Sequence, residues 1–188
     1  MKLRLIKMKS VQSTNSIALR LIEKKKLKPT LITSVIQTNG RGTMGKKWIS
    51  IKGNLFISIF FEIKRKTINY KQYALLNAYL LKNIITKFSK KKIDIKWPND
   101  LLIKKQKICG ILQEIVQFDA KTFLIVGVGI NTNVSPLIKN CKVTSLKNVL
   151  KKDIDNNDIL KKIKMEYENF IQQMNKCNFA KLKKKYSK

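Results

Sequence analysis

This sequence predicts an α+β domain, a mixed, mainly antiparallel sheet flanked by helices, on three observations. Tyr73, Leu76, Leu80, Leu81, Ile84 and Ile85 recur at helical spacing, so residues 70–88 form a long helix buried on one side. Four short β-rich runs then follow between residues 93 and 130, separated by connections of hairpin length. Finally, the order of elements lacks the steady β-α-β alternation that a parallel sheet requires.

In chain order, residues 3–8 alternate enough for a strand, and Ser13 or Thr14 is placed to cap a helix with Ile17, Ala18, Leu21 and Ile22 on its apolar face. That helix ends near Lys24, Lys25 and Lys26. Pro29 leads into a β-rich segment at 31–36, and the loop over 37–47 carries Gly40, Gly42 and Gly45. Residues 54–62 read as a strand apolar on both faces. The long helix ends in a solvated run, Lys90 to Lys92, and the four later strand candidates are 93–97, 101–104, 107–116 and 122–130. Residues 158–174 form a second amphipathic helix, and the basic end at 181–188 is expected to fray. No repeat or Pro/Gly linker divides the chain, so residues 1–188 are expected to form a single domain.

Composition excludes several classes of function. The longest apolar runs, 55–61 and 123–130, are far shorter than the roughly 18 residues of a membrane span. The N-terminus lacks the apolar core and cleavage site of a secretory signal, so a cytoplasmic location without membrane attachment is expected. Cys109, Cys141 and Cys177 are too far apart for a CxxC metal or redox pair. The complete lack of histidine removes Ser-His-Asp and Cys-His nucleophilic sites and histidine-ligated zinc. What remains suits phosphate-centred chemistry, in which positioning and charge stabilisation dominate. A formal charge of +30 invites a nucleic-acid partner. Yet all but four of the 41 basic residues are lysine, whereas base and phosphate recognition draws heavily on the guanidinium fork. A general excess of Lys, Ile and Asn explains the charge better.

Four stretches carry the chemistry. Residues 40–48, Gly-Arg-Gly-Thr-Met-Gly-Lys-Lys-Trp, place flexible glycines, cations and an indole between two strands. Such a loop can wrap an anion with backbone N–H groups and cationic side chains while Trp48 stacks or closes a pocket. Its spacing is not that of a Walker A loop, and no helix follows as in a dinucleotide fold. Residues 96–100, Lys-Trp-Pro-Asn-Asp, run a strand into a proline that stops ladder pairing and an Asn-Asp turn that presents an amide and a carboxylate. Residues 107–114, Lys-Ile-Cys-Gly-Ile-Leu-Gln-Glu, put a lysine just ahead of a strand glycine. By period two, Lys107, Cys109, Ile111 and Gln113 share one face, leaving a lone cation on a largely apolar surface. Residues 127–131, Gly-Val-Gly-Ile-Asn, again combine strand glycines with a terminal amide. Each stretch alone also fits a plain basic loop or hairpin turn.

Together, in this order and spacing from Ser10 to about Asn133, they resemble the bacterial biotin-protein ligases. That family's hallmarks are a GRG-x-x-G-basic-x-W loop, a KWPND turn, a K-x-x-G-I-L-x-E strand and a G-x-G-I-N strand. Gln12 to Asn15 is similar to its STN segment. The resemblance implies the fold shared with class II aminoacyl-tRNA synthetases and lipoate ligases. It also implies an ATP- and magnesium-dependent enzyme with biotin as substrate and the biotin carboxyl carrier protein of acetyl-CoA carboxylase as partner.

Residue by residue, the resemblance implies polar contacts to biotin's ureido ring from Ser13, Thr14, Asn15 and Gln37, with Arg41, Gly42 and Thr43 lining the same pocket. Lys107 would hold the biotin carboxylate and the α-phosphate. The nucleotide or adenylate side would comprise Lys46, Trp48, Lys96, Asn99, Gly110 and Asn131, with Asn99 near the magnesium. Arg41 and Asp100 complete the implied catalytic set, Asp100 orienting the carrier's lysine.

Two departures stand out. Thr43 and Met44 follow Gly42 where the family usually has an arginine, and Lys46 replaces a later one, with Lys46 and Lys47 as partial compensation. The chain begins directly at the catalytic strand, so an N-terminal helix-turn-helix and specific DNA binding are not expected. The family's C-terminal β-barrel is expected to be reduced or absent. A homodimer through a sheet edge is compatible with the family, although the charge opposes self-association. Two rivals remain: a lipoate or octanoyl ligase or transferase of the same fold, disfavoured by the lack of histidine, and a basic RNA-binding module. The latter would want exposed aromatics, whereas Phe56, Phe60, Tyr73 and Phe88 fall at core positions.

Overall fold

Burial is organised around one twisted sheet. The computed structural model describes residues 2–63, 68–139, 141–174 and 176–187. Its strands are β1 (Arg4–Val11), β2 (Thr30–Gln37), β3 (Leu55–Glu62), β4 (Asp94–Lys96), β5 (Asp100–Ile103), β6 (Gln106–Phe118) and β7 (Lys121–Ile130). They lie in the order β1-β2-β3-β7-β6-β5-β4. Only the β1–β2 pair is parallel. The mixed, mainly antiparallel sheet expected from the sequence is therefore what forms.

The helices divide between the two faces. On one face α1 (Thr14–Glu23) buries Ala18 and Ile22 against Ile32, Phe60, Phe123 and Ile125. On the other, α2 (Tyr70–Ser89), α4 (Asn156–Met174) and α5 (Phe179–Tyr186) cover Ile57, Ile59, Leu124, Val126 and their neighbours. Strand β3 is apolar on both faces because it lies between the two layers. Helix α2 starts with a reciprocal cap: Asn69 Oδ1 accepts from Gln72 N–H, and Gln72 Oε1 accepts from Asn69 N–H. Two-residue turns at Lys104-Lys105 and Asp119-Ala120 have φ above zero at both positions, the geometry that joins twisted antiparallel strands tightly.

Two expectations need correction at the C-terminal end. Residues 181–187 do not fray: Leu182 and Tyr186 are buried within α5, which packs on α2, while Lys188 lies outside the described residues. Apolar anchoring outweighs the repulsion of the basic run, since Phe170 and Tyr186 meet edge to face at 5.6 Å and Asn83 Nδ2 donates to the Tyr186 carbonyl. A short helix, α3 (Leu146–Leu150), also forms between the strand ending at 130 and the helix expected from 158, where the sequence predicts no element, its first turn capped by the Ser145 hydroxyl. Phe88 is only partly buried, whereas Phe56, Phe60 and Tyr73 are core residues as expected.

Candidate active site

Three glycines make the floor. Gly110 of β6 pairs with Gly129 of β7, and Leu112 pairs with Gly127. All three glycines lie on the face that α1 only half covers. A Cβ on Gly110 or Gly129 would sit 2.5 or 2.4 Å from atoms of the Trp48 indole, and one on Gly127 would sit 2.2 Å from Asn15 Oδ1. The missing side chains therefore let an aromatic ring and an amide lie directly on the sheet. Around them opens a cavity of about 440 Å³, large enough for a small ligand.

Lysine 107 reaches this cavity because the strand is irregular. Leu101 pairs with Cys109 but Leu102 pairs with Lys107, so one step along β5 spans two along β6 and Ile108 is the extra residue. Simple alternation, which places Lys107 beside Cys109, Ile111 and Gln113, is thereby broken. Gln113 does face the α2 layer, where its Oε1 accepts from Asn77 Nδ2 and its Nε2 donates to the Tyr70 carbonyl. Lys107 instead turns to the glycine face, with Nζ 2.7 Å from Asp100 Oδ1 and 5.3 Å from the Trp48 ring centroid. Burial pushes the Cys109 thiol far above its ordinary range, with Lys107 opposing and Asp100 adding, so this cysteine stays protonated beneath the floor.

The polar wall grows from the start of α1. Ser13 occupies the N-cap position but its side chain makes no capping bond; it lines the cavity instead. Gln37 takes the capping task, its Oε1 accepting from Thr14 N–H at 2.8 Å and from Thr14 Oγ1 at 3.1 Å. Asn15 Nδ2 donates to Glu114 Oε2 at 2.7 Å, and its Oδ1 accepts from the Ser58 hydroxyl. Arg41 pairs with the other Glu114 oxygen, tying the glycine-rich loop to the sheet.

That loop folds as a small hairpin. Gly42 N–H donates to the Lys46 carbonyl, Trp48 N–H donates to the Gly40 carbonyl, and Thr43 to Gly45 form one 3-10 turn. Met44 adopts the left-handed region at φ 54° and points to solvent. The loop also meets the Lys96 to Asp100 turn, where Asn99 Nδ2 donates to Thr43 Oγ1 at 3.3 Å. Lys46 and Lys96 stand at the cavity's edge, both exposed. Asn131 is buried at the end of β7 with its Oδ1 unpartnered, and the Trp48 Nε1 donor is likewise buried without a partner. Two orphaned polar atoms in one cavity leave hydrogen-bonding capacity for a ligand.

Every implied site residue thus lines this cavity or touches its wall. The residues not foreseen are Ser58, Glu114 and a far wall of Pro136, Ile138, Lys139, Cys141 and Val143. Ser58 was legible as a lone hydroxyl within an otherwise apolar strand, and Glu114 as the second alternation step from Gly110. The far wall, including Pro136, Ile138, Lys139 and Cys141, has no periodic signal. It is held by the backbone of Lys107, whose N–H donates to the Lys142 carbonyl and whose carbonyl accepts from Thr144 N–H.

No three His, Cys, Asp or Glu side chains converge among the described residues. The carboxylate lining the cavity, Asp100, is already paired with Lys107. This donor set does not suit a resident metal.

Residues 7–131 match the model of the biotin/lipoate A/B protein ligase family. The chain belongs to that family. It is 34% identical over 128 residues to the bifunctional ligase/repressor BirA of Bacillus subtilis (strain 168), covering 67% of this chain and 39% of that protein. It is 28% identical over 147 residues to the biotin–[acetyl-CoA-carboxylase] ligase of Mycobacterium tuberculosis, covering 76% of this chain and 54% of that one. The chain thus spans about half or less of these two relatives. Among solved structures, the biotin protein ligase from Aquifex aeolicus in complex with biotin and ATP superposes with a TM-score of 0.81 at 30% identity, covering 97% of this chain and 76% of that one. The family match ends at Asn131, five residues before Pro136 of the far wall. Among the described residues, no helix is long and apolar enough to cross a membrane.

Proposed function

We propose that the chain is an ATP-dependent biotin-protein ligase acting in two steps. A biotin carboxylate oxygen attacks the α-phosphorus of ATP, the bond to the β-phosphate oxygen breaks, and pyrophosphate leaves. A lysine amine of an acceptor domain then attacks the acyl carbon, AMP departs, and an amide forms. The single observation carrying this reading is the position of Lys107, a cation on the glycine floor between the loop at 40–48 and the turn at 96–100.

Each demand of the chemistry has a group near it. The two reacting partners are both anionic, so a fixed cation must lie between them; Lys107 supplies it in a half-enclosed setting where charge is weakly screened. Ser13, Thr14, Asn15 and Gln37, with the loop at Arg41, Gly42 and Thr43, form the polar wall for the uncharged ureido ring. Lys46, Trp48, Lys96, Asn99, Gly110 and Asn131 line the same cavity and are the residues we assign to the adenylate. Asp100 keeps Lys107 aimed into the cavity, and it is placed to accept a proton contact from the incoming amine once Lys107 turns to the phosphate. Magnesium bound to ATP would supply charge neutralisation at the phosphates. The loop and indole shield the mixed anhydride from water.

The partner we assign is a biotin acceptor domain, with the biotin carboxyl carrier protein of acetyl-CoA carboxylase the first choice, given the name of the mycobacterial relative. Incubation with ATP, magnesium and labelled biotin should place acid-stable label on that domain, and lipoate should not compete. Labelling by lipoate instead of biotin would transfer the assignment to the other branch of the family.

A further inference from the structure

One nucleophile on the cavity wall has no part in the two-step chemistry above. The three cysteines sit in different surroundings: Cys109 is buried beneath the floor, and Cys177 is half-buried against the core cluster. Cys141 is exposed and lines the cavity. Backbone contacts hold it beside the lysine of the floor. Lys107 N–H donates at 2.8 Å to the carbonyl of Lys142, the next residue, and Val143 pairs with Lys107 in a parallel bridge. On its other side, Cys141 N–H donates to the Ile138 carbonyl at 3.2 Å.

The cavity that this thiol lines is incomplete without a ligand. Asn131 lines the same cavity at 1% exposure with its Oδ1 unpartnered, and Trp48 Nε1 is a buried donor in the same state. Polar atoms buried in this way find their partners on a bound molecule. Cys141 therefore shares an enclosure with that molecule.

In the ligase reading the bound intermediate is a mixed anhydride, an acyl donor to any nucleophile within reach. The other nucleophiles lining the cavity are lysines, among them Lys46, Lys96 and Lys139. At neutral pH an ordinary lysine amine is unprotonated in only about one part in 10³, whereas an ordinary thiol is ionised to a few per cent and its sulfur is intrinsically more nucleophilic. A thiol on the wall outcompetes them. Thr43 adds a reason for the reaction to matter, since its uncharged hydroxyl gives the adenylate no cationic hold. A covalent bond keeps what that loop releases.

Resting on the ligase reading, we propose that Cys141 is a self-acylation site that tethers the biotinyl group in the cavity. Its Sγ attacks the acyl carbon of the adenylate, the bond from that carbon to the phosphate oxygen breaks, AMP leaves with the electron pair, and the thiol proton passes to water. The product is a thioester. An acceptor amine then attacks the same carbon, the C–S bond breaks, and a proton from the amine restores the thiol.

The full chain is incubated with ATP, magnesium and labelled biotin, with a phosphine as reductant and no acceptor. We expect label on the denatured chain that neutral hydroxylamine removes, mapping to Cys141 about tenfold above Cys177 or any lysine. In Cys141→Ala this labile label should fall about tenfold per pyrophosphate released, while Cys177→Ala keeps it. Adding a biotin acceptor domain should discharge it from the wild type. Pyrophosphate release without labile label would overturn the proposal and leave the ligase reading standing. Label that resists hydroxylamine, as a lysine amide does, would also overturn it, as would a thioester that the acceptor leaves untouched. A chain that releases no pyrophosphate in response to biotin would remove the ligase reading and this proposal together.

Discussion

Lys107 and Asp100 form a 2.7 Å ion pair across neighbouring strands, with both side chains about four-fifths buried. Neither residue could make this pair if β6 alternated regularly, because Lys107 would then point into the α2 layer. The pair leaves Lys107 desolvated but compensated, so an arriving anion competes with a single carboxylate and little water. Lys107→Met should retain the fold yet lower adenylate formation by roughly 10²–10³, the usual loss when one preorganised charge contact is removed. Asp100→Asn should spare biotin binding and reduce transfer to the acceptor more than pyrophosphate exchange. Exchange and transfer assays run side by side check both; an active Lys107→Met enzyme would remove this lysine from the mechanism.

The floor makes a second prediction, about packing. Gly129→Ala drives a methyl to within 2.4 Å of the Trp48 ring, so the indole must leave the sheet. We expect a loss of about 1–3 kcal/mol, the range for overpacking, together with weakened nucleotide binding. Trp48→Ala in the same chain should recover most of the stability but none of the nucleotide affinity. Thermal unfolding of the two single variants and the double variant measures the coupling directly.

Thr43 predicts how long the intermediate stays bound. Its hydroxyl accepts from Asn99 and carries no charge, where an arginine would offer paired donors to a phosphate. Biotinyl-adenylate should therefore dissociate faster from this chain than from the Thr43→Arg variant. A quenched-flow or filter measurement of adenylate release checks this, and equal rates would refute it.

Glu168 makes a prediction about acid stability. Burial alone would raise its carboxyl, but the Lys164 side chain, the 2.7 Å bond donated by Leu3 N–H and the Lys164 charge together hold it below its ordinary value. A depressed carboxylate stabilises the fold at pH values above its unfolded pKa and loses that contribution as pH falls through its folded one. Wild type should therefore lose stability more steeply than Glu168→Gln as pH falls below the ordinary carboxylate value of 4.5. Denaturant midpoints across pH 3 to 7, a window of roughly that range, compare the two slopes.

Sequence alone determined the sheet and most of its elements. Hydrophobic period, strand-length runs and turn residues are local properties, and β3, α2 and the β4 to β7 hairpins formed where those properties placed them. It also supplied the membership of the candidate site, because the glycine-rich loop, the Lys96 to Asp100 turn and the strand glycines carry their chemistry in short spacings. Only tertiary structure decided which way Lys107 faces, since one unpaired residue, Ile108, inverts a strand's alternation and arises from register with a partner strand. Tertiary packing likewise turned a basic tail into α5, and it brought Lys142 and Thr144 against Lys107 through two backbone hydrogen bonds with no sequence pattern of their own. Local periodicity records what each segment can bury; it holds no record of which distant segment will be there to cover it.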